Sequence, residues 1–175
     1  MEKRRVYLCY GSNLNHTNMQ SRCPGAKYKG KTNLLDYQLV FRSNNRGFGV
    51  ATIEEYSGGI VPVGLWEITT AHEKALDRYE GVSQGVYYKK DFIVEFQGER
   101  ITAFAYILSP GRKLTKPNRF YYITILGGYL DCQIDLQNLT QAVNRSSESN
   151  TESDKKLGST GVFISNEEFR EEKLI

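Results

Sequence analysis

The chain has 175 residues, a net charge of +3 and twelve tyrosines. This length predicts one domain with a real core, and no apolar run reaches the roughly 20 residues that span a bilayer. The weak net charge disfavours nucleic acid as a partner.

Cysteine and histidine are sparse, with three and two residues. They predict no disulfide framework and no metal centre, and the charged start lacks the apolar run of a signal peptide. We therefore expect a cytoplasmic protein. Seven acidic and four basic residues fall after position 145, which leaves +6 on residues 1–145. A mildly basic body of this kind favours a small anionic ligand.

The first predicted strand, Val6–Tyr10, stops abruptly at Gly11-Ser12-Asn13. These turn residues tolerate positive φ and offer backbone N–H groups, a hydroxyl and an amide, which suits anion binding. The same residue types also close ordinary hairpins. A short helix over Leu14–Arg22 is predicted to follow.

Further strands are predicted from β-branched and aromatic runs separated by turn residues. Gln97-Gly98-Glu99 joins the last two of them as a hairpin. The predicted strands are Tyr37–Arg42, Gly49–Ile53, Ile60–Ile68, Val86–Phe96 and Ile101–Leu108.

Three more helices are predicted, each with a recognisable start. They cover Ala71–Glu80 after a Thr69 or Thr70 cap, Pro117 to about Tyr129, and Leu136–Val143 after Asp135. Composition divides the chain into a domain over 1–145, a polar linker over 146–158 and an acidic tail over 159–175.

Glu80 is the residue best suited to acid–base chemistry. It follows Leu76 by one helical turn, so it lies on or beside the inward stripe, just before the helix stop at Gly81. Partial burial and the negative end of the helix dipole both raise a carboxyl pKa, as a general base near neutral pH requires. The alternative is that Glu80 reaches solvent or pairs with a Lys or Arg.

Two motifs in this order resemble the γ-glutamylcyclotransferase family: Tyr10-Gly11-Ser12-Asn13-Leu14 and Tyr79-Glu80-Gly81-Val82. The connecting features Val63-Gly64-Leu65-Trp66 and Leu126-Gly127-Gly128 also fit, so that the resemblance spans roughly residues 5–143. It implies an α+β fold in which a small mixed β-barrel is flanked by helices, with the active site at the barrel mouth.

The resemblance also implies a cyclising, amide-cleaving enzyme of the lyase or acyltransferase class, without cofactor or metal. The α-amine of a γ-glutamyl compound would attack its own γ-carbonyl and release 5-oxoproline and a free amine or amino acid, with Glu80 as the catalytic base. The implied substrate-binding residues are Tyr7, Leu8, Cys9, Tyr10, Gly11, Ser12, Asn13, Tyr121 and Tyr122.

One position departs from the family pattern. Phe120 stands where many members carry a tyrosine, and phenylalanine cannot donate a hydrogen bond. Either Tyr121 or Tyr122 replaces it through a register shift, or the substrate contact differs there. The alternative function is a non-catalytic barrel of the same fold that binds a small molecule. The sequence assigns neither the particular γ-glutamyl substrate nor an oligomeric state.

Overall fold

The computed structural model describes residues 3–154 of the chain, and side chains over 3–146. The strands in this range are β1 (Arg4–Cys9), β2 (Lys27–Ser43), β3 (Gly49–Thr69), β4 (Tyr87–Phe96) and β5 (Glu99–Leu108). The helices are α1 (His16–Arg22), α2 (Thr70–Tyr79), α3 (Arg119–Asp131) and α4 (Gln137–Asp154), with short 3₁₀ turns at Ser12–Leu14 and Val82–Gln84. The α+β class expected from the sequence is confirmed.

The strands form one mixed sheet in the order β2-β3-β1-β5-β4, in which β1 and β5 run parallel and the other neighbours antiparallel. The prediction of a barrel is wrong, because no ladder joins the edge strands β2 and β4 within the described residues. These edges approach through side chains instead: Lys90 donates to the Tyr37 hydroxyl at 2.9 Å, and Thr32 donates to the Glu95 carbonyl. The sheet therefore curls without closing, since closure requires ladder hydrogen bonds all the way round.

Two of the predicted strands, Gly49–Ile53 and Ile60–Ile68, belong to the single long strand β3. The predicted break between them is a local irregularity, where Gly58 has a φ of +74° and donates its N–H to the Asp36 carboxylate at 2.9 Å. The opposite strand shifts register at the same place, between Leu35 and Tyr37. Such a bulge bends a strand without ending it.

The helix starts follow the predicted capping chemistry in part. Thr69 caps α2, because its hydroxyl accepts the N–H of His72 at 3.2 Å. Helix α3 starts later than predicted: Asn118 is its cap and accepts the N–H of Tyr121 at 2.8 Å, so Pro117 precedes the helix. Asparagine is a favoured N-cap residue because its side-chain oxygen can accept a backbone N–H of the first helical turn, and this explains why the helix starts after Asn118.

The helix predicted over Leu136–Val143 is longer in the structure. Helix α4 begins at Gln137, one residue later than predicted, and the Asp135 carboxylate accepts the N–H of this first helical residue at 2.7 Å. The helical backbone of α4 then continues through residues 146–154 of the predicted linker. The rest of that linker and the tail over 159–175 lie outside the described residues. None of the helices within 3–154 is both long and apolar enough to cross a membrane.

The packing of α3 positions the turn that follows β1. A Cβ atom at Gly128 would lie 2.5 Å from the backbone nitrogen of Asn15 and 2.6 Å from Leu14. Only a glycine lets the backbone of α3 come this close to the turn. The turn is therefore held between the end of β1 and the buried side of α3 at Gly128, which sets the position of its backbone.

Candidate active site

A cavity of about 650 Å³ opens where β1 ends, between the turn after β1 and the last residues of α2. A second hollow of about 730 Å³, between the β2–β3 hairpin and α4, contains none of the predicted site residues. The predicted residues that line the first cavity are Tyr7, Tyr10, Gly11, Ser12, Asn13, Glu80 and Tyr121.

Three predicted residues, Leu8, Cys9 and Tyr122, are not among the described residues that line this cavity. Leu8 and Cys9 are fully buried in the core, and burial raises the pKa of the Cys9 thiol well above its usual value. Tyr121 brings a phenol to the cavity and accepts the N–H of Ala51 at 3.2 Å. The side chain of Phe120 is 83% exposed at the cavity mouth.

The turn after β1 is built by close approach and not by positive φ. Gly11 has a φ of −118°. A Cβ atom on Gly11 would lie 3.2 Å from the Cβ of Ala51 and 3.6 Å from the hydroxyl of Tyr121. No side chain caps the 3₁₀ turn at Ser12–Leu14, and the first N–H groups of a helical turn have no partner inside it.

Glu80 lies beside the turn, at the end of α2. Its backbone N–H still bonds the Leu76 carbonyl at 2.8 Å, and Gly81, with a φ of +67°, turns the chain away. The Glu80 carboxylate is partly buried and accepts a hydrogen bond from the Asn13 amide nitrogen at 3.3 Å. Burial raises the pKa of Glu80 to about 7, against the opposing charge of Arg22 and the Asn13 hydrogen bond. Glu80 can therefore exchange protons near neutral pH.

Arg22, at the end of α1, contacts both the turn and α2. Its guanidinium donates to the Ser12 hydroxyl at 3.1 Å and to the side-chain oxygen of Asn13, and it lies 3.7 Å from the centre of the Tyr79 ring. Sequence reasoning missed Arg22, because a basic residue at a helix C-terminus is common for reasons of the helix dipole alone. Its reach towards Asn13 depends on tertiary packing.

The phenols of the cavity wall explain part of the high tyrosine content. Burial is the main cause that raises the pKa of Tyr7 and Tyr10 well above the usual range, so both hydroxyls keep their protons at neutral pH. The tyrosines that line the cavity are Tyr7, Tyr10, Tyr79, Tyr87, Tyr106 and Tyr121. Within the described part of the chain, no three His, Cys, Asp or Glu side chains cluster so as to hold a metal ion.

Comparison with known proteins identifies related sequences and a shared fold. Residues 7–124 match the model of a family described as "Gamma-glutamyl cyclotransferase, AIG2-like". The chain is 33% identical over 109 residues to a gamma-glutamylcyclotransferase of Bos taurus, which covers 58% of this chain and 57% of that protein. The corresponding Homo sapiens protein is 31% identical over 116 residues, which covers 62% and 61%. The chain thus matches these relatives over less than two thirds of their length.

A solved structure of a gamma-glutamyl cyclotransferase has the same fold. It superposes with a TM-score of 0.71 at 23% identity and covers 94% of this chain and 95% of the other.

Proposed function

Since residues 7–124 match its family model, this chain belongs to the gamma-glutamyl cyclotransferase, AIG2-like family, and we propose that it cyclises a γ-glutamyl compound. The α-nitrogen of the substrate forms a bond to its own γ-carbon, and the γ-amide bond breaks. The products are 5-oxoproline and a free amine or amino acid. No water is consumed and nothing is oxidised or reduced.

Glu80 acts as the proton carrier of this reaction. The substrate α-amine is an ammonium at neutral pH, so a base must take its proton before the nitrogen can attack. The Glu80 carboxylate, whose pKa is about 7, accepts that proton and can return it to the leaving nitrogen. The attacking nitrogen loses a second proton as the lactam forms, and Glu80 can pass this one to the departing amine, which leaves as an ammonium. The carboxylate therefore ends the cycle in the state in which it began.

The turn over residues 10–13 is proposed to hold the negatively charged end of the substrate. Its N–H groups suit either the glutamyl carboxylate or the oxyanion that develops on the γ-carbonyl. Gly11, Ser12 and Asn13 line the cavity together with Glu80. A substrate anchored at the turn therefore presents its α-amine and γ-carbonyl to the carboxylate.

The absence of a protein nucleophile from this scheme has a physical reason. An intramolecular attack in a preorganised geometry saves on the order of 7–11 kcal/mol of barrier in favourable cases. The cavity then needs to align the substrate and move protons from the attacking to the leaving nitrogen, and it does not need to form a covalent intermediate.

The observation that carries the proposal is the Glu80 carboxylate, half-buried in the cavity that the turn over residues 10–13 also lines, with its pKa raised to about 7. The test is incubation of the protein with a panel of γ-glutamyl dipeptides and γ-glutamyl amines, with 5-oxoproline as the readout. We expect product from at least one member and a large loss of turnover in Glu80→Gln. A folded protein that binds these compounds and turns none over would be a binding protein of the same fold. Undiminished turnover in Glu80→Gln would remove the base assignment.

A further inference from the structure

Tyr7 carries an unused hydrogen-bond donor in the wall of the cavity. Its side chain is 4% exposed and its ring is fixed against Phe104 and Tyr106, with ring centres 5.5 and 5.6 Å away. The hydroxyl accepts a hydrogen bond from the Asn13 amide nitrogen at 2.8 Å. Among the residues that the structure describes, none accepts the proton of this hydroxyl. Leaving a buried donor unmatched has a cost, so such a group needs an explanation.

Three neighbouring phenols of the cavity differ from Tyr7, because their protons are committed to the protein. Tyr10 donates to the backbone carbonyl of Tyr106, and Tyr87 donates to the carbonyl of Ala51 at 3.1 Å. Tyr106 donates to the Asp77 carboxylate at 2.7 Å. These three hydroxyls are therefore occupied with holding β1, β4 and β5 to their neighbours, and Tyr7 is not. Tyr79 and Tyr121 resemble Tyr7 in that their hydroxyls accept, from Arg22 and from the N–H of Ala51. Of these three accepting phenols, only Tyr7 shares the Asn13 amide with Glu80.

The Asn13 amide places the Tyr7 hydroxyl beside the proposed base. One amide group donates to both, at 2.8 Å to Tyr7 and 3.3 Å to the Glu80 carboxylate. Arg22 donates to the side-chain oxygen of the same amide, which determines that its nitrogen faces Tyr7 and Glu80. The free phenol and the carboxylate are thus held on the same side of the cavity by the two N–H bonds of one group.

We propose that the Tyr7 hydroxyl donates a hydrogen bond to the γ-carbonyl oxygen of the substrate as negative charge develops there, with Asn13 and Arg22 as positioning residues. This inference rests on the proposed cyclisation. As the α-nitrogen forms its bond to the γ-carbon, the π electrons of the carbonyl move to oxygen, where the phenol stabilises them and keeps its own proton. Collapse reforms the carbonyl and expels the leaving nitrogen, which receives from Glu80 the proton first taken from the ammonium. The ring nitrogen then gives its second proton to the Glu80 carboxylate, which passes it to the departing amine.

Electrostatics agree with a donor role. Burial and the nearby Glu80 carboxylate raise the pKa of Tyr7 well above its usual value, so the phenol remains protonated while the reaction proceeds. The charged and titratable groups around Glu80 are Arg22 from α1, Tyr10 from the end of β1, Tyr79 from α2, Tyr87 from β4, Tyr106 from β5 and Tyr121 from α3.

The competing role for Tyr7 is donation to Glu80 itself. In that case the phenol would stabilise the ionised carboxylate, and its loss would raise the pKa of Glu80. The acidic limb of the kcat/KM profile would then move to higher pH, while the plateau above it would stay near the wild-type level. Donation to the substrate oxygen predicts the opposite pattern: the plateau of kcat/KM falls, and the pH of the acidic limb does not change.

The test is the pH profile of 5-oxoproline formation by Tyr7→Phe. Loss of one oxyanion donor typically lowers kcat by about 100- to 1,000-fold, and we expect a loss of this size with little change in KM. Tyr129→Phe is the matched control, because this buried phenol lies outside the cavity and its hydroxyl has no partner among the described residues. A kcat within about threefold of wild type, or a moved limb with an unchanged plateau, would overturn the role of Tyr7.

Absence of 5-oxoproline from the wild-type protein would instead remove the proposed function, and the role of Tyr7 with it. If Tyr7→Phe does not fold, 3-fluorotyrosine in place of Tyr7 keeps the ring and hydroxyl and makes it a stronger donor. A kcat above wild type supports the proposal, and an unchanged or lower kcat contradicts it.

A double-mutant cycle tests the positioning role of Asn13. If Asn13 acts through the phenol, Asn13→Ala costs much less kcat in the Tyr7→Phe background than in wild type. Fully additive losses would show that Asn13 does not orient Tyr7. A merely structural role for Asn13 would lower thermal stability without producing this coupling in kcat.

Discussion

Replacing Glu80 with glutamine is expected to stabilise the folded protein above pH 7 while it removes the proposed base. Burial raises the pKa of Glu80 from its ordinary 4.5 to about 7 in the folded state. The folded protein therefore holds this proton more tightly than the unfolded chain does. Stability that is present below pH 4.5 is lost as the pH rises towards 7, and the full penalty remains at higher pH.

The size of the penalty follows from the same shift. One pKa unit corresponds to 1.36 kcal/mol, so the shift sets an upper limit of about 3 kcal/mol. Solvent around the half-buried carboxylate reduces this figure, and we expect Glu80→Gln to gain about 1–3 kcal/mol at pH 8. Glutamine is close in shape to glutamate, and its side-chain oxygen can still accept the Asn13 hydrogen bond.

The assay is urea unfolding of wild type and Glu80→Gln at pH 4 and pH 8, in which other titrating groups cancel in the difference between the two proteins. We expect equal stability at pH 4 and a more stable variant at pH 8. Glu99→Gln is the control, because it removes the same charge from the exposed β4–β5 hairpin. A difference between wild type and Glu80→Gln that does not change with pH would refute the reasoning.

Three further predictions concern the pH dependence of turnover and the packing of the turn. The kcat/KM for 5-oxoproline formation should fall about tenfold per pH unit below about pH 7, because Glu80 must be ionised to act as a base, and a flat profile between pH 5.5 and 8 would contradict this. Arg22→Met should move this fall in kcat/KM to higher pH, because the Arg22 charge lowers the pKa of Glu80. Arg22→Lys is the control that keeps the charge. An unchanged pH dependence in Arg22→Met would contradict the interaction between Arg22 and Glu80. Gly128→Ala should cost about 1–3 kcal/mol in urea unfolding and reduce turnover, because its Cβ would lie 2.5 Å from the backbone of Asn15. Gly127→Ala meets only the side-chain amide of Asn15, at 2.9 Å, and should cost less; equal stability of the two variants would contradict the packing argument.

The parts of the fold that were predicted correctly depend on local signals. The Thr69 hydroxyl caps the first turn of α2, so the residue type indicates where this helix starts. Gln97-Gly98 indicates the turn of the β4–β5 hairpin, where both residues adopt positive φ. The first ten residues of β2 were not predicted, because Lys27–Asp36 is largely polar and partly exposed and is held as a strand mainly by pairing with β3. Whether β2 meets β4 in a ladder depends on strands far apart in sequence, so the barrel expectation failed.

The residues of the candidate site also fall into those that local sequence signals predict and those that depend on tertiary packing. Glu80 and the turn over residues 10–13 were found because each carries its own signal, a carboxylate at a helix stop and a strand that ends in turn residues. The position of Tyr121 relative to Tyr122 depends on the rotation of α3, which starts two residues after Pro117 and not at it. No local sequence pattern predicts the role of Arg22, because this role depends on its contacts with Asn13 and Tyr79, which only tertiary packing places next to it.

The central claim is that the substrate's own α-amine, and not water, breaks the γ-glutamyl bond. Turnover in ¹⁸O-labelled water with mass-spectrometric detection tests it directly. The account predicts 5-oxoproline without label from wild type, and a large loss of this product in Glu80→Gln. Free glutamate that carries ¹⁸O at the γ-carboxylate would show that water is the nucleophile and would contradict the account.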